Sequence, residues 1–248
     1  MKFRIFTKSQ NPEILEATDK SRRFTADEHA TMVRQVYSGQ ATSREALVRL
    51  FLSTNSSKLV TLAYLIRFAY RHDARKILSL GAGMCVIEEL LLQALPEGSV
   101  VAAADFNSYL IDTARQFFPD LIAVQFDFFR DDVKTICDAA GTTFDIAVFM
   151  GSSYVMDDEE HIRLLSQLKN NNVRMVIDLT PTLVPYSMLP RVILGEIKCS
   201  LTGKDRGKFH GFQRTRNDFR ALYQRAGWTL REETTIGDYN YVAVLENR

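Results

Sequence analysis

The chain has 248 residues, and its 31 Lys and Arg nearly cancel its 30 Asp and Glu, leaving a formal charge of +1. That balance offers no strong global field to nucleic acid or an anionic membrane surface. With 46% hydrophobic and 25% charged residues the composition excludes a mainly disordered chain, and the length suits one large domain or one domain with a small cap.

The start, MKFRIFTKSQNPEILEATDK, has no apolar core of a leader peptide, and no later run reaches about 18 uninterrupted apolar residues. A soluble, cytoplasmic protein with no membrane partner is expected. Cys85, Cys137 and Cys199 lie far apart without a CxxC pairing, which predicts reduced thiols, no disulfide frame and no structural zinc. Residues 1–74 are predicted to form an N-terminal helical cap. Thr25 and Glu28 have capping-box spacing ahead of Ala30, Val33, Val36 and Tyr37, and Gly39 is the expected stop. Ser43 caps a second helix carrying Ala46, Leu47, Leu50 and Phe51 on one face. A third, from about Lys58 to Tyr70, has Leu59, Leu62, Ala63, Ile66 and Ala69 as its stripe. Leu65 and Phe68 lie off that stripe and imply cover on two sides.

From residue 75 to 248 the pattern changes. KILSL (76–80), SVVAAADF (99–106), LIAVQF (121–126), FDIAVFM (144–150) and VRMVIDL (173–179) read as short apolar strands separated by helices. Such alternation predicts a parallel sheet covered on both faces, a doubly wound α/β fold. Residues 181–213 hold Pro181, Pro185, Pro190, Gly203, Gly207 and Gly211 and read as an irregular, lid-like insertion. Thr215 and Asp218 then open a helix striped by Phe219, Leu222, Tyr223 and Ala226, with Gly227 as its stop. TLREETTI (229–236) and NYVAVLE (240–246), joined across Gly237-Asp238, predict a closing antiparallel hairpin.

The segment LSLGAGMC (78–85) follows the first parallel strand. Gly81 and Gly83 allow a tight turn and close approach of a ligand to the backbone, and the next helix presents free N–H groups. Asp105 ends the second strand 24 residues after Gly81, near the offset at which a carboxylate meets ribose hydroxyls. Asp127 ends the third strand at the same edge of the sheet, inside QFDFF. The third glycine of a dinucleotide fingerprint is replaced by Val86, and the phosphate cradle GxxxxGK[ST] is absent, so an adenosine ligand without phosphates is the better match.

On these residues the chain resembles class I S-adenosylmethionine-dependent methyltransferases over about residues 75–179, with the tail hairpin similar to that family's last two strands. The resemblance implies a mostly parallel seven-stranded sheet of order 3-2-1-4-5-7-6 with an antiparallel last strand. It implies S-adenosyl-L-methionine as cofactor, with Gly81, Ala82 and Gly83 against its methionine part. Asp105 would bind the ribose with Phe106 beside the adenine, Asp127 would meet the adenine amino group with Phe128 nearby, and Met150-Gly151 would close the far side. The family usually has an acid two residues before the first glycine and often a third glycine; Ser79 and Cys85 stand there instead.

MGSSY (150–154) replaces the NPPY-type signature of many nucleobase amino-methyltransferases, and no Pro-Cys nucleophile like that of the cytosine C5 enzymes appears. Methyl transfer to an oxygen or nitrogen of a small molecule or glycan is then expected, with in-line placement and proton removal as its main demands. Tyr154, Asp178 and His210 are the candidate catalytic groups, and Tyr186 and Arg214 the candidate acceptor contacts. Lys204, Arg206, Lys208, Arg214 and Arg216, opposed by Asp205, could clamp an anionic acceptor or serve an RNA or protein methyltransferase. A non-catalytic cofactor-binding protein is the third alternative. No tight His/Asp/Glu cluster suggests a metal.

Overall fold

The computed structural model describes residues 2–7, 23–37, 43–202 and 207–247. The chain opens with strand β1 (Lys2–Thr7), followed by helices α1 (Ala26–Tyr37), α2 (Arg44–Thr54) and α3 (Lys58–Arg71). The expected caps are in place. Thr25 and Glu28 exchange hydrogen bonds at the start of α1, and Ser43 Oγ accepts from Ala46 N–H at 3.2 Å in α2. The buried face of α3 is Thr61, Leu62, Leu65, Phe68 and Ala69, whereas Leu59 is 43% exposed. The stripe is thus rotated from the expected one, because the helix packs toward the sheet on its Leu65–Phe68 side. Gly39 lies outside the described residues, as do the side chains of Val36 and Tyr37.

Five strands then alternate with helices: β2 (Lys76–Leu80), α4 (Val86–Ala94), β3 (Val100–Asp105), α5 (Ser108–Phe117), β4 (Ile122–Gln125), α6 (Val133–Ala140), β5 (Ile146–Met150), α7 (Asp158–Asn170) and β6 (Met175–Thr180). After them come α8 (Leu189–Thr202), β7 (Lys208–Arg214), α9 (Arg216–Arg225), β8 (Thr229–Ile236) and β9 (Tyr239–Glu246). Strands β2 to β6 pair in parallel, and β9 runs antiparallel to both β6 and β8. The seven-stranded order is β4-β3-β2-β5-β6-β9-β8. It differs in chain numbering from 3-2-1-4-5-7-6 because β1 and β7 stand outside this sheet; counted among its own seven strands, the positions run 3-2-1-4-5-7-6.

Helices cover both faces, which is why the central strands are apolar on both sides. Ile77 packs with Phe68, Ile87 and Ile111 on one face, while Leu78 and Leu80 pack with Val133, Leu164 and Phe219 on the other. Among the described residues, no helix is long and apolar enough to cross a membrane.

Two expectations need correction. The chain before residue 75 is not wholly helical, and residues 181–213 are not wholly irregular. β1 pairs antiparallel with β7, which lies mostly within the expected insertion, and α8 precedes it. Neither strand is self-evident, because each is stabilised by a partner about 200 residues away in sequence. This ribbon ties the two segments into one unit.

Candidate functional site

Parallel pairing of Leu80 with Ala104 brings the ends of β2 and β3 side by side. The chain then turns at once: Gly81 N–H and Ala82 N–H both donate to Ala104 C=O, at 2.7 and 3.1 Å. Gly81, Gly83 and Cys85 have φ of +76°, +61° and +57°. Cys85 therefore adopts, with a side chain, the left-handed conformation that favours glycine, and it does so immediately before α4. A Cβ on Gly83 would meet nothing within 4 Å, so open space lies beside the turn there.

Asp105 holds the turn. Its Oδ2 accepts from Gly83 N–H and its Oδ1 from Asn107 N–H, each at 2.9 Å. Burial raises the carboxyl above its ordinary pKa, and the backbone N–H donors of Asn107, Gly83 and Phe106 oppose that rise. Asn107 caps α5 and its amide meets His29 Nδ1 at 2.8 Å. The His29 ring lies over Phe106, with centroids 4.9 Å apart.

A cavity of about 190 Å³ opens beyond these strand ends. Gly81, Asp105, Phe106, Asp127, Phe128 and Gly151 contribute to its floor and walls. Asp127 Oδ1 accepts from Phe129 N–H at 2.9 Å, and Asp127 N–H donates to Asp131 Oδ2 at 2.7 Å, so this carboxylate also shapes its own loop. His29 from α1, Tyr154 after β5, and Phe209 and His210 from β7 line the same cavity. Tyr154 Oη and His210 Nε2 are 2.7 Å apart. Burial lowers the His210 pKa, assisted by the charge of His29, and burial raises that of Tyr154. Both are therefore neutral near pH 7, and the pair can accept a proton from a group that enters.

A second cavity of about 280 Å³ lies on the other side of the turn. Ala82, Gly83 and Met150 line it, with Val33, Asn55 and Lys58 from the N-terminal helices. Gly81 borders both cavities.

Three predicted residues stand apart from these cavities. Asp178 on β6 is fully buried, accepting from Ser153 Oγ at 2.6 Å and Tyr223 Oη at 2.8 Å, and burial pushes its carboxyl up to about 6. Its partners across the sheet, Phe149 and Ala243, belong to the packed core beneath α7 and α9, so strand alternation turns Asp178 inward. Arg214 is 1% exposed; its Nε and Nη2 donate to Asp158 Oδ1, and Nη2 also donates to Met156 C=O. It ties β7 to the start of α7. Tyr186 is 55% exposed on a short 3₁₀ turn. Of the basic segment, Lys204, Asp205 and Arg206 lie outside the described residues, and Lys208 is buried with its ammonium 5.0 Å from the centre of the Phe24 ring. Among the described residues, no group of three or more His, Cys, Asp or Glu is placed to hold a metal.

Sequence reasoning missed His29, Ser152, Phe209 and Lys58. Each lines one of the two cavities from an element whose position depends on packing, so no local spacing marks it.

No protein-family model matches the chain, and no curated protein is similar to it in sequence. Solved structures share its fold. An O-methyltransferase family protein from Burkholderia thailandensis superposes with a TM-score of 0.60 at 15% identity, covering 96% of this chain and 66% of that one. Human N-acetylserotonin methyltransferase in complex with S-adenosylmethionine gives 0.56 at 14% identity, again covering 96% and 66%. Magnesium protoporphyrin IX methyltransferase from Synechocystis with bound S-adenosylhomocysteine gives 0.52 at 16%, covering 86% and 90%. The chain thus spans about two thirds of the length of the first two. Its fold is that of the class I S-adenosylmethionine-dependent methyltransferases.

Proposed function

We propose that the protein is an S-adenosylmethionine-dependent methyltransferase acting on an oxygen or nitrogen of a small molecule. One observation carries this reading: Asp105 holds the Gly81–Gly83 turn at the floor of a cavity whose other side is the neutral His210–Tyr154 pair. The residues fit the cofactor. Asp105 lines the cavity, and its carboxylate is the acceptor there for ribose hydroxyls. Phe106, Asp127 and Phe128 provide faces and an acceptor for the adenine, and the open space beside Gly83 lets the ligand pass to Met150 and Gly151.

When bound, the cofactor supplies a methyl group on a positively charged sulfur. The chain's own task is then to exclude water, hold the acceptor in line and take its proton. His210 is the base in this proposal, and Tyr154 orients its ring. α1 supplies His29, and β7 supplies Phe209 and His210, to the cavity wall, which supports a cover drawn from residues 1–74 and the insertion.

Phe24, Phe126, Phe129 and Phe209 add to the cavity wall, which favours a flat, largely apolar acceptor over a glycan. The burial of Lys208 and Arg214 removes two cations on which a nucleic-acid or protein-substrate reading of the basic segment depended. The three free cysteines suit a reducing compartment such as the cytoplasm.

Two measurements test the reading. Mass spectrometry of the purified protein should find carried S-adenosylhomocysteine, and labelled methyl groups should pass to phenols or aromatic amines. Calorimetry that detects no binding of S-adenosylhomocysteine would remove the cofactor assignment. Binding without transfer to any of a broad acceptor panel would favour the non-catalytic alternative.

A further inference from the structure

We infer that His29, held by Asn107 as a fixed N–H donor, selects the acceptor: an aromatic hydroxyl compound that carries a second, uncharged lone-pair group such as a ketone. This rests on the methyltransferase reading above and narrows its acceptor class.

The tautomer of His29 follows from a chain of bonds that begins in the backbone. Asn107 is fully buried at the head of α5. Leu110 N–H donates to its Oδ1 at 3.3 Å, which turns the carbonyl end of the amide to the helix. The other end, Nδ2, meets His29 Nδ1 at 2.8 Å. An amide nitrogen only donates, so Nδ1 is the bare, accepting nitrogen of the ring. Burial lowers the His29 pKa, and the imidazole is neutral near pH 7. Its one ring proton therefore sits on Nε2.

The rings of Phe24 and Phe106 flank His29, with centroids 6.5 and 4.9 Å away, and all three side chains line the cavity of about 190 Å³. Nδ1 is turned away to α5. Nε2 has no hydrogen-bond partner among the described residues, yet it is not sealed from solvent. The edge of the ring that bears the N–H is thus the edge left to meet a ligand. His210 lines the same cavity, near enough for the charge of His29 to bear on it. The two histidines then have opposite roles: His210 receives a proton, and His29 offers one in a hydrogen bond.

A neutral N–H donor calls for a lone pair on its partner. A carboxylate on the acceptor would supply one, but Asp105 and Asp127 line the same cavity and would repel it. Arg23 in that wall is already paired with Glu160 at 2.8 Å. A ketone, ether or ring nitrogen meets the donor without bringing charge into an aromatic wall, so an uncharged group fits and an anion does not.

The test uses the protein saturated with S-adenosylhomocysteine and three matched probe sets: the hydroxyacetophenone isomers, the ethylphenol isomers, which lack the carbonyl, and the hydroxybenzoate isomers. By calorimetry, the best hydroxyacetophenone should bind wild type about tenfold or more tightly than the matching ethylphenol, and the hydroxybenzoates should bind no more tightly than the ethylphenols. His29→Phe keeps a ring beside Phe106 and should erase the preference while leaving S-adenosylhomocysteine affinity within about twofold. His29→Gln, whose amide nitrogen can donate in place of Nε2, should retain most of it. Nitrogen NMR, with the signal assigned by its loss in His29→Phe, should find the proton on Nε2. No preference in the wild type, an undiminished one in His29→Phe, tightest binding of a hydroxybenzoate, or a proton on Nδ1 overturns the inference and leaves the cofactor reading standing. A large loss of S-adenosylhomocysteine affinity in His29→Phe makes the residue a cofactor contact and also overturns it. A wild type that does not bind S-adenosylhomocysteine rejects the cofactor reading itself.

Discussion

A Cβ placed on Gly81 would lie 2.3 Å from Cβ of Ser152 and 2.7 Å from its Oγ. The glycine at the head of the turn is therefore demanded by the protein as well as by any ligand. Ser152 leans in because its Oγ donates to Leu80 C=O at 2.5 Å, closing β2 onto the segment after β5. Gly81→Ala should cost about 2–4 kcal/mol, from overpacking against backbone-anchored Ser152 and from its positive φ. Gly83→Ala meets open space and should cost only about 1 kcal/mol, for its positive φ alone. Urea unfolding without ligand measures both, and equal losses would contradict the geometry.

Asp105→Ala removes two backbone hydrogen bonds and the candidate ribose contact together. It should weaken S-adenosylhomocysteine binding at least about tenfold, or about 1.4 kcal/mol, and lower stability by about 1–3 kcal/mol. Calorimetry on the folded variant reads the first and denaturant titration the second. An unchanged affinity would take Asp105 out of the site.

His210→Gln should lower the rate of methyl transfer by about 10²-fold while leaving S-adenosylhomocysteine affinity within about threefold. Because burial lowers the His210 pKa, its base form persists below 6.5, the ordinary value. The rate should therefore hold steady as pH falls past 6.5 and drop only at lower pH. A limb centred at or above 6.5 would assign the proton to another group.

His161 is fully buried, edge-on to Phe149, and neither ring nitrogen has a hydrogen-bond partner among the described residues. Burial drives its pKa down to about 3. Between pH 6.5 and 3 the unfolded chain binds a proton that the folded chain refuses, so stability is present above 6.5 and is lost as pH falls. His161→Phe should stabilise the protein by about 1 kcal/mol at pH 7.5, and its advantage should grow by about 1–2 kcal/mol at pH 5. Unfolding curves at the two pH values decide it; an advantage that shrinks on acidification would mean that His161 charges in place.

Arg214→Met should cost about 2–4 kcal/mol of stability, because Asp158 and Met156 C=O lose their donor. Ligand affinity should stay within about twofold. A selective loss of acceptor binding would restore Arg214 to the site.

Much of this architecture was legible along the chain. The parallel strands show because each is a short apolar run buried on both faces, and the caps at Thr25, Ser43 and Thr215 show because capping is local chemistry. The turn at Gly81–Gly83 and the carboxylate at Asp105 show because adjacent strand ends must bring them together. Asp178 misled because a strand's end reveals its rim and not which way each side chain points. Arg214 misled because a cation in a basic stretch looks solvated until its carboxylate, 56 residues away, is found beside it.

Local pattern and composition were enough to set the alternation of strands and helices, the glycine turn and the acid that holds it, since each depends on neighbours in the chain. Tertiary packing alone decided that β1 would meet β7, that His29 and His210 would face one cavity, and that Lys58 would line another. Those juxtapositions depend on long-range burial and pairing, which leave no fixed spacing in the order of residues.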